Sequence, residues 1–367
     1  LSKYERHALT AYPDKIAQLQ AEIDARRGQA APFGLAKSTS NLFRDRTKRS
    51  RPKIDLKHFN RVVHVDREAG TVEAEGMTTF ADLADATLAH GMMPRVVPQL
   101  KSITVGGAVA GVGIEATSFK YGLVHDTIAA LEVLTGDGRI VVCTPDNEHR
   151  DLFYGFANSY GTLGYALKVT QRAARVASYV AIEHFRYTDP AVCFADVLRL
   201  AADEHTDFLD GVVFAPNELY LTRGCFVDTA PYTSDYTFER IYYRSIRERA
   251  RDYLTVRDYL WRWDSDWFWC SKNVGAQHPL LRRLYGRERL NSITYQKIMR
   301  WNSRWGVTRA LSRLSGEHTE SVIQDVDIPL ERAAEFLEFF HAEVGILPVW
   351  ICPIRAPSAA KRFPLYP

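Results

Sequence analysis

TVGGAVAGVGIEATSFKYG, residues Thr104 to Gly122, is the stretch whose reading decides the fold. Inside it, Gly111-Val-Gly113-Ile-Glu-Ala116 matches G-x-G-x-x-A, and Glu132 follows at about the spacing of a ribose-binding acid. That is the outline of a Rossmann dinucleotide motif. Such a motif follows a hydrophobic strand and opens a helix. Here it follows Gly106-Gly107, and the next residues (TSFKYGLVHD) mix β-branched, aromatic and glycine residues, so no helix is expected to start there. The reading preferred over it is an extended loop wrapped around a diphosphate. Glycine lets the backbone take positive φ and come close to an anion, and successive N–H groups in such a turn form an anion-binding nest.

Working outward, residues 14–27 carry Ile16, Leu19 and Ile23 at helical spacing, stopped by Gly28. Residues 33–43 are small and polar and read as a loop, whose Lys37, Ser38, Thr39, Ser40 and Asn41 offer a second patch of donors. Two short strands, 62–65 and 71–75, precede a helix that starts at Thr79 with Asp82 as its capping-box partner and ends at Gly91. Residues 128–144 form a hairpin about Asp137-Gly138. A short helix at 152–156, the turn Gly161-Thr-Leu-Gly164 and a strand to about 170 follow. From residue 180 the order becomes strand (180–187), helix (190–204), strands 208–215 and 218–227, then strand (320–328), helix (330–344) and strand (347–354). This order suits a ferredoxin-like sheet. An Arg- and aromatic-rich insertion occupies 230–318.

The 367 residues suit two or three domains. The net charge of +3 is too small to imply a nucleic-acid partner. Five scattered cysteines with no C-x-x-C pair argue against a disulfide framework and against a metal site, and fit a reducing, cytoplasmic setting. No run of about 18 apolar residues is present. The sequence starts at Leu1 and stops at Pro367, and both ends read as incomplete.

Thr104-Val105-Gly106-Gly107, then Gly111, Gly113 and Ile114, Thr117-Ser118 and Tyr121-Gly122, resemble the second FAD loop of the vanillyl-alcohol-oxidase (PCMH-type) family. Lys37 to Asn41 lie where that family has its first FAD loop, and Gly161 with Gly164 resemble the segment beside adenine and ribose. The stretches 96–123, 143–145, 151–154, 322–331 and 347–353 are similar to the sterol delta-24-reductase branch. Residues 233–246 and 257–272 look more like bacterial relatives that saturate a methylene group on a fatty acyl chain. The resemblance implies an α+β fold. A PCMH-type FAD-binding domain of two α+β subdomains would span 1–175, and a ferredoxin-like α+β substrate domain 176–355, with a helical insertion at 230–318. Residues 356–367 would begin a truncated C-terminal segment. It also implies non-covalent FAD, since the first loop lacks histidine, with NADPH as electron donor and a lipid substrate. Peripheral contact with an anionic membrane at the inner face and a lipid-methyltransferase partner are further expectations. An oxidase or dehydrogenase of an alcohol or lipid is the second reading, and a flavin- or lipid-binding partner without turnover the third.

Adding hydrogen to an isolated alkene requires a protonated acid, because no carbonyl accepts the charge; burial is what raises such a pKa. Glu115, within the loop itself, is the first candidate, with His125, Lys120 and Asp264 behind it. Each also has a bland reading, a buried group satisfied by the backbone or a solvated one. Trp261, Trp263 and Trp267 lie in the densest aromatic run, which reads either as an apolar tunnel or as ordinary packing. The arginines of 240–251 and 282–289 read as solvated ion-paired faces, an anionic-lipid surface or an RNA surface, in that order.

Overall fold

The structure is a computed structural model that describes residues 11–26, 34–36, 53–306, 325–355 and 363–366. Helix α1 (Tyr12–Ala25) buries Leu19 and Ile23. A two-stranded parallel pair, β1 (Gly34–Ala36) and β2 (Lys53–Asp55), precedes the first large sheet. That sheet has β3 (Val62–Asp66), β4 (Thr71–Glu75), β5 (Met92–Pro94), β6 (Ile128–Leu134), β7 (Ile140–Cys143) and β8 (Tyr165–Arg175). Its order is β3-β4-β8-β6-β7, with β5 also paired to β8. Strand β8 is central because its eleven residues are long enough to pair with β4, β5 and β6.

Helix α2 (Phe80–Leu88) starts where the capping residues place it. The Thr79 hydroxyl accepts from the Asp82 N–H at 3.1 Å and donates to its carboxylate at 2.7 Å. Gly138 takes φ +84° in the turn between β6 and β7, as the Asp-Gly pair predicts.

The expected loop from Thr104 to Gly122 is in fact three pieces. Val105–Ala110 is a helix, α3, and Ser118–Tyr121 is one helical turn, α4; only 111–117 between them is loop. Tertiary packing overrides the low helix propensity of glycine here. Gly106 approaches the first sheet so closely that a Cβ would stand 2.9 Å from the Gly76 carbonyl and 3.2 Å from Ala166. The Rossmann outline fails on both sides: a helix precedes Gly111, and a four-residue turn follows it. Helix α5 (Arg150–Phe156) then leads back toward β8.

The second sheet begins with β9 (Tyr179–Tyr187), followed by α6 (Pro190–Ala202), β10 (Phe208–Ala215) and β11 (Glu218–Val227). Strand β11 lies between β9 and β10, antiparallel to both, so β9-α6-β10 is the split βαβ unit of a ferredoxin-like sheet. The rest departs from expectation in part. The insertion is not wholly helical: after α7 (Tyr242–Glu248), strand β12 (Arg251–Thr255) pairs with β9 and fills that edge. Short helices α8 (Val256–Leu260) and α9 (Pro279–Tyr285) and the longer α10 (Ser292–Trp305) complete its described part. Residues 325–328, the described part of the strand expected at 320–328, form no strand. Helix α11 (Ala333–Glu343) packs beside α6, and β13 (Val349–Ile351) joins the opposite edge, next to β10.

One buried core runs through both lobes, from Val72, Phe80 and Val105 to Val180, Phe208 and Trp263. No helix among the described residues is long and apolar enough to cross a membrane.

Candidate flavin and acid site

The second lobe clamps the 111–118 loop at three backbone points. Leu209 N–H donates to the Ala116 carbonyl at 2.7 Å, Arg355 N–H to the Ser118 carbonyl at 3.2 Å, and the Cys352 thiol to the Glu115 carbonyl at 3.4 Å. Held this way, the loop leaves a run of unused donors. The N–H groups of Val105 and Gly106 are taken by the carbonyls of Thr78 and Gly76, each at 2.9 Å. Among the described residues, the N–H groups of Val112, Gly113 and Ile114 have no acceptor. Close by, Tyr160 N–H donates to the Ala110 carbonyl at 2.7 Å, which brings the 158–161 turn against the start of the loop. Among the described residues the Thr117 and Ser159 hydroxyls, both buried, have no partner.

Three successive amides plus two buried hydroxyls are the donor set a diphosphate needs. These residues therefore fit a dinucleotide cofactor. Gly113 has a packing reason to be glycine: a Cβ would stand 2.5 Å from Val124 Cγ2. Gly122 at φ +75°, Gly161 at +79° and Gly164 at +136° occupy backbone conformations that other residues rarely take. Tyr121 is wedged between cations, its ring centroid 5.1 Å from Arg95 Cζ and 5.9 Å from Lys120 Nζ. Lys37 to Asn41, the expected first loop, lie outside the described residues.

The acid candidates separate clearly. Glu115 sits at the join of the two lobes, 4% exposed. Its Oε2 accepts from the Ala116 N–H. Its Oε1 stands 3.2 Å from Arg262 Nη1, in ion-pair range, but the contact lacks hydrogen-bond geometry and Oε1 keeps no bonded partner. Burial, more than the nearby Asp210 charge, pushes its carboxyl up to about 7, with Arg262 pulling the other way. Beside it runs a narrow crevice lined by Met93, Val97, Thr117, Phe208, Tyr259 and Leu260.

Arg262 is the residue that the sequence reading missed. It is 1% exposed. Its Nη2 reaches Asp210 Oδ2 at 2.8 Å, its Nη1 donates to the Tyr259 carbonyl at 3.1 Å, and its Cζ lies 4.0 Å from the Tyr259 ring centroid. The indoles of Trp263 and Trp350 donate to the same Asp210 oxygen at 3.3 and 3.2 Å. A signal for it did exist. Asp210 interrupts the apolar strand Phe208–Ala215, and a carboxylate buried in mid-sheet calls for a cation.

His125 and Asp264 do not suit the acid role. Burial holds the His125 imidazole down at about 4, so it is neutral at pH 7 and has no proton to give. Its ring packs on Phe363 at 4.4 Å. Asp264 is fully buried and committed: Oδ1 accepts from the Lys101 N–H at 2.9 Å and from the Ser292 hydroxyl, and Oδ2 from the Ser292 N–H at 3.4 Å. It straps the 97–103 segment to the start of α10. Lys120 faces Asp207 at 3.4 Å.

The aromatic run packs as core and forms no tunnel around Trp263. That indole stacks on Phe268 at 4.8 Å, meets Tyr242 edge-on at 4.9 Å and spends its N–H on Asp210, leaving no face for a ligand. Trp261 and Trp267 are buried as well. Two of the insertion's arginines pair with acids on a solvated face, as the first reading expected, Arg287 with Asp235 and Arg247 with Glu218; Arg282 is instead buried against Asp266, and Arg249 reaches the buried Asp252. Among the described residues no cluster of metal-binding side chains occurs.

Residues 7–144 match the family described as FAD binding domain. Over most of its length the chain is similar to Delta(24)-sterol reductases. It is 26% identical to that of Arabidopsis thaliana over 86% of this chain and 28% identical to that of Homo sapiens over 81% of it. The chain spans 58% of the length of each. It is also 30% identical to Cytokinin dehydrogenase 7 of Oryza sativa, over 39% of this chain and 28% of that protein.

Proposed function

We propose that this chain is the FAD-binding and substrate-facing part of a reductase that saturates a C=C bond in a lipid. The substrate is a sterol-like compound or a methylene-bearing fatty acyl chain, and NADPH is the electron donor. The reading rests on one observation: similarity to Delta(24)-sterol reductases covers 81–86% of the chain, the second lobe included. Similarity to the cytokinin dehydrogenase covers 146 residues, about the length of the FAD domain. Substrate choice belongs to the second lobe, so the longer similarity weighs more.

Bound FAD supplies the hydride chemistry. The chain's own part is to hold the cofactor through the Val112–Ile114 amides and to manage a proton. Glu115 suits that role because its pKa of about 7 keeps it partly protonated at neutral pH. Arg262 holds that carboxyl at the lobe junction without neutralising it fully.

The test uses the purified protein reconstituted with FAD. Anaerobic bleaching of the flavin band by NADPH, and reoxidation by the alkene lipid with gain of two hydrogens in the product, is the expected result. Bleaching by an alcohol with release of hydrogen peroxide would replace the reductase with the oxidase reading, which the dehydrogenase similarity favours. A protein that takes up no FAD would sink both. In the organism, deletion is expected to accumulate the unsaturated lipid.

A further inference from the structure

A cleft of about 390 Å³ opens on the insertion and shares no lining residue with the crevice beside Glu115. The 232–235 segment is fastened alongside β12: Ser234 N–H donates to the Tyr253 carbonyl at 2.9 Å, and the Ser234 hydroxyl to the buried Asp252 at 2.7 Å. This arrangement brings Arg240, Arg249 and Arg251 to one cavity. Much of their donor capacity is unused. Arg249 engages Nη1 with the Ser234 hydroxyl at 3.0 Å and with Asp252 at 3.2 Å, which fixes its fork. Its Nε and Nη2 have no hydrogen bond among the described residues. Arg251 reaches Glu183 through Nη2 at 3.0 Å. The Arg240 guanidinium has neither a hydrogen bond nor an acid in ion-pair range among the described residues. Two acids also line the cleft. Asp235 is already engaged, its Oδ1 by the Thr237 N–H at 2.9 Å and hydroxyl at 2.7 Å, its Oδ2 by Arg287 at 2.5 Å. Glu239 is exposed, with no partner among the described residues. Tyr232, 47% exposed, completes the wall and meets Tyr253 edge-on at 5.5 Å.

We propose that this cleft binds a mononucleotide, its phosphate on the three guanidinium groups, its base against Tyr232 and its ribose hydroxyls on Glu239. Guanidinium forks match phosphate oxygens two at a time. A carboxylate, with two oxygens and one charge, would leave most of these donors unused. An exposed tyrosine ring offers a stacking face to a base. The free carboxylate of Glu239 would repel a bare anion, but it accepts hydrogen bonds from a pair of sugar hydroxyls. The inference goes beyond the reductase reading and does not rest on it.

Isothermal titration calorimetry of the FAD-loaded chain with AMP, inorganic phosphate and adenosine tests it. Saturable AMP binding at one site is expected, weakened by salt, with phosphate and adenosine each binding less tightly and the flavin band unchanged. Arg240→Ala with Arg251→Ala is expected to weaken AMP binding about tenfold or more, from the usual strength of hydrogen bonds to a charged group. Tyr232→Ala is expected to weaken it about fivefold or more while phosphate binding stays as in the parent. All three side chains are exposed, so the variants keep the circular dichroism of the parent. Arg139→Ala, at an exposed arginine outside the cleft, is expected to leave AMP binding unchanged. No saturable AMP binding, phosphate bound as tightly as AMP, or an AMP affinity unmoved by the cleft variants overturns the inference. So does an equal loss in Arg139→Ala, or AMP binding that releases FAD.

Discussion

Replacing Glu115 with glutamine separates the ionisable carboxyl from the shape of its site. In the unfolded chain a glutamic acid loses its proton near 4.5, and at this site near 7. Between those pH values the folded protein binds more protons than the unfolded one, so this group's contribution to stability falls as pH rises. At about 1.36 kcal/mol per pH unit, the loss between pH 4.5 and 7 is about 3 kcal/mol. Glu115→Gln removes it. The variant is expected to match the parent near pH 5, within the cost of changing one buried contact. Near pH 8 it should gain on the parent by about 3 kcal/mol, because the attraction of Arg262 for the carboxylate is already contained in the pKa of about 7. Urea unfolding followed at several pH values measures the difference directly, since every other titrating group is common to both proteins. Parallel stability profiles from pH 5 to 8 would show that Glu115 titrates as an ordinary carboxylate, and the argument for it as a proton donor would go with it.

Arg262→Met leaves Asp210 and Glu115 buried without their cation, and a loss of about 3–5 kcal/mol in urea unfolding is expected; a loss below about 1 kcal/mol would contradict the junction described here. Gly113→Ala places a methyl 2.5 Å from Val124 Cγ2, so a folded protein with weaker flavin retention is expected. In Gly76→Ala the methyl meets the Ala166 carbonyl at 1.9 Å, and loss of soluble protein is expected instead. Asp264→Asn is expected to lower stability by about 1–3 kcal/mol by weakening the strap to Lys101 and Ser292, with a normal pH-rate profile; a displaced profile would return Asp264 to the catalytic candidates.

Local order was readable where local chemistry decides it. The Thr79–Asp82 cap, the Asp137-Gly138 turn and the apolar spacing of α1 each depend on residues within a few positions of one another. Helix α3 was hidden because its glycines argue against a helix until the close approach of Gly76 and Ala166 is known. Strand β12 was hidden because RDYLT, inside an arginine-rich segment, becomes a strand by pairing with the free edge of β9. The tryptophan run was ambiguous for the same kind of reason: whether an indole lines a tunnel or fills a core depends on its neighbours, and for Trp263 these are Tyr242 and Phe268.

What the sequence determined by itself is a glycine-bearing turn around Gly111 and Gly113, between two helical pieces it did not show, and the kinship that goes with it. Tertiary structure alone decided which amides remain unspent and which carboxyl can hold a proton at neutral pH. Glu115, Asp210 and Arg262 are far apart along the chain, and Glu115 meets the Asp210–Arg262 pair only where the two lobes join. The desolvation that lifts a pKa comes from everything packed around the group, which no local pattern of residues records.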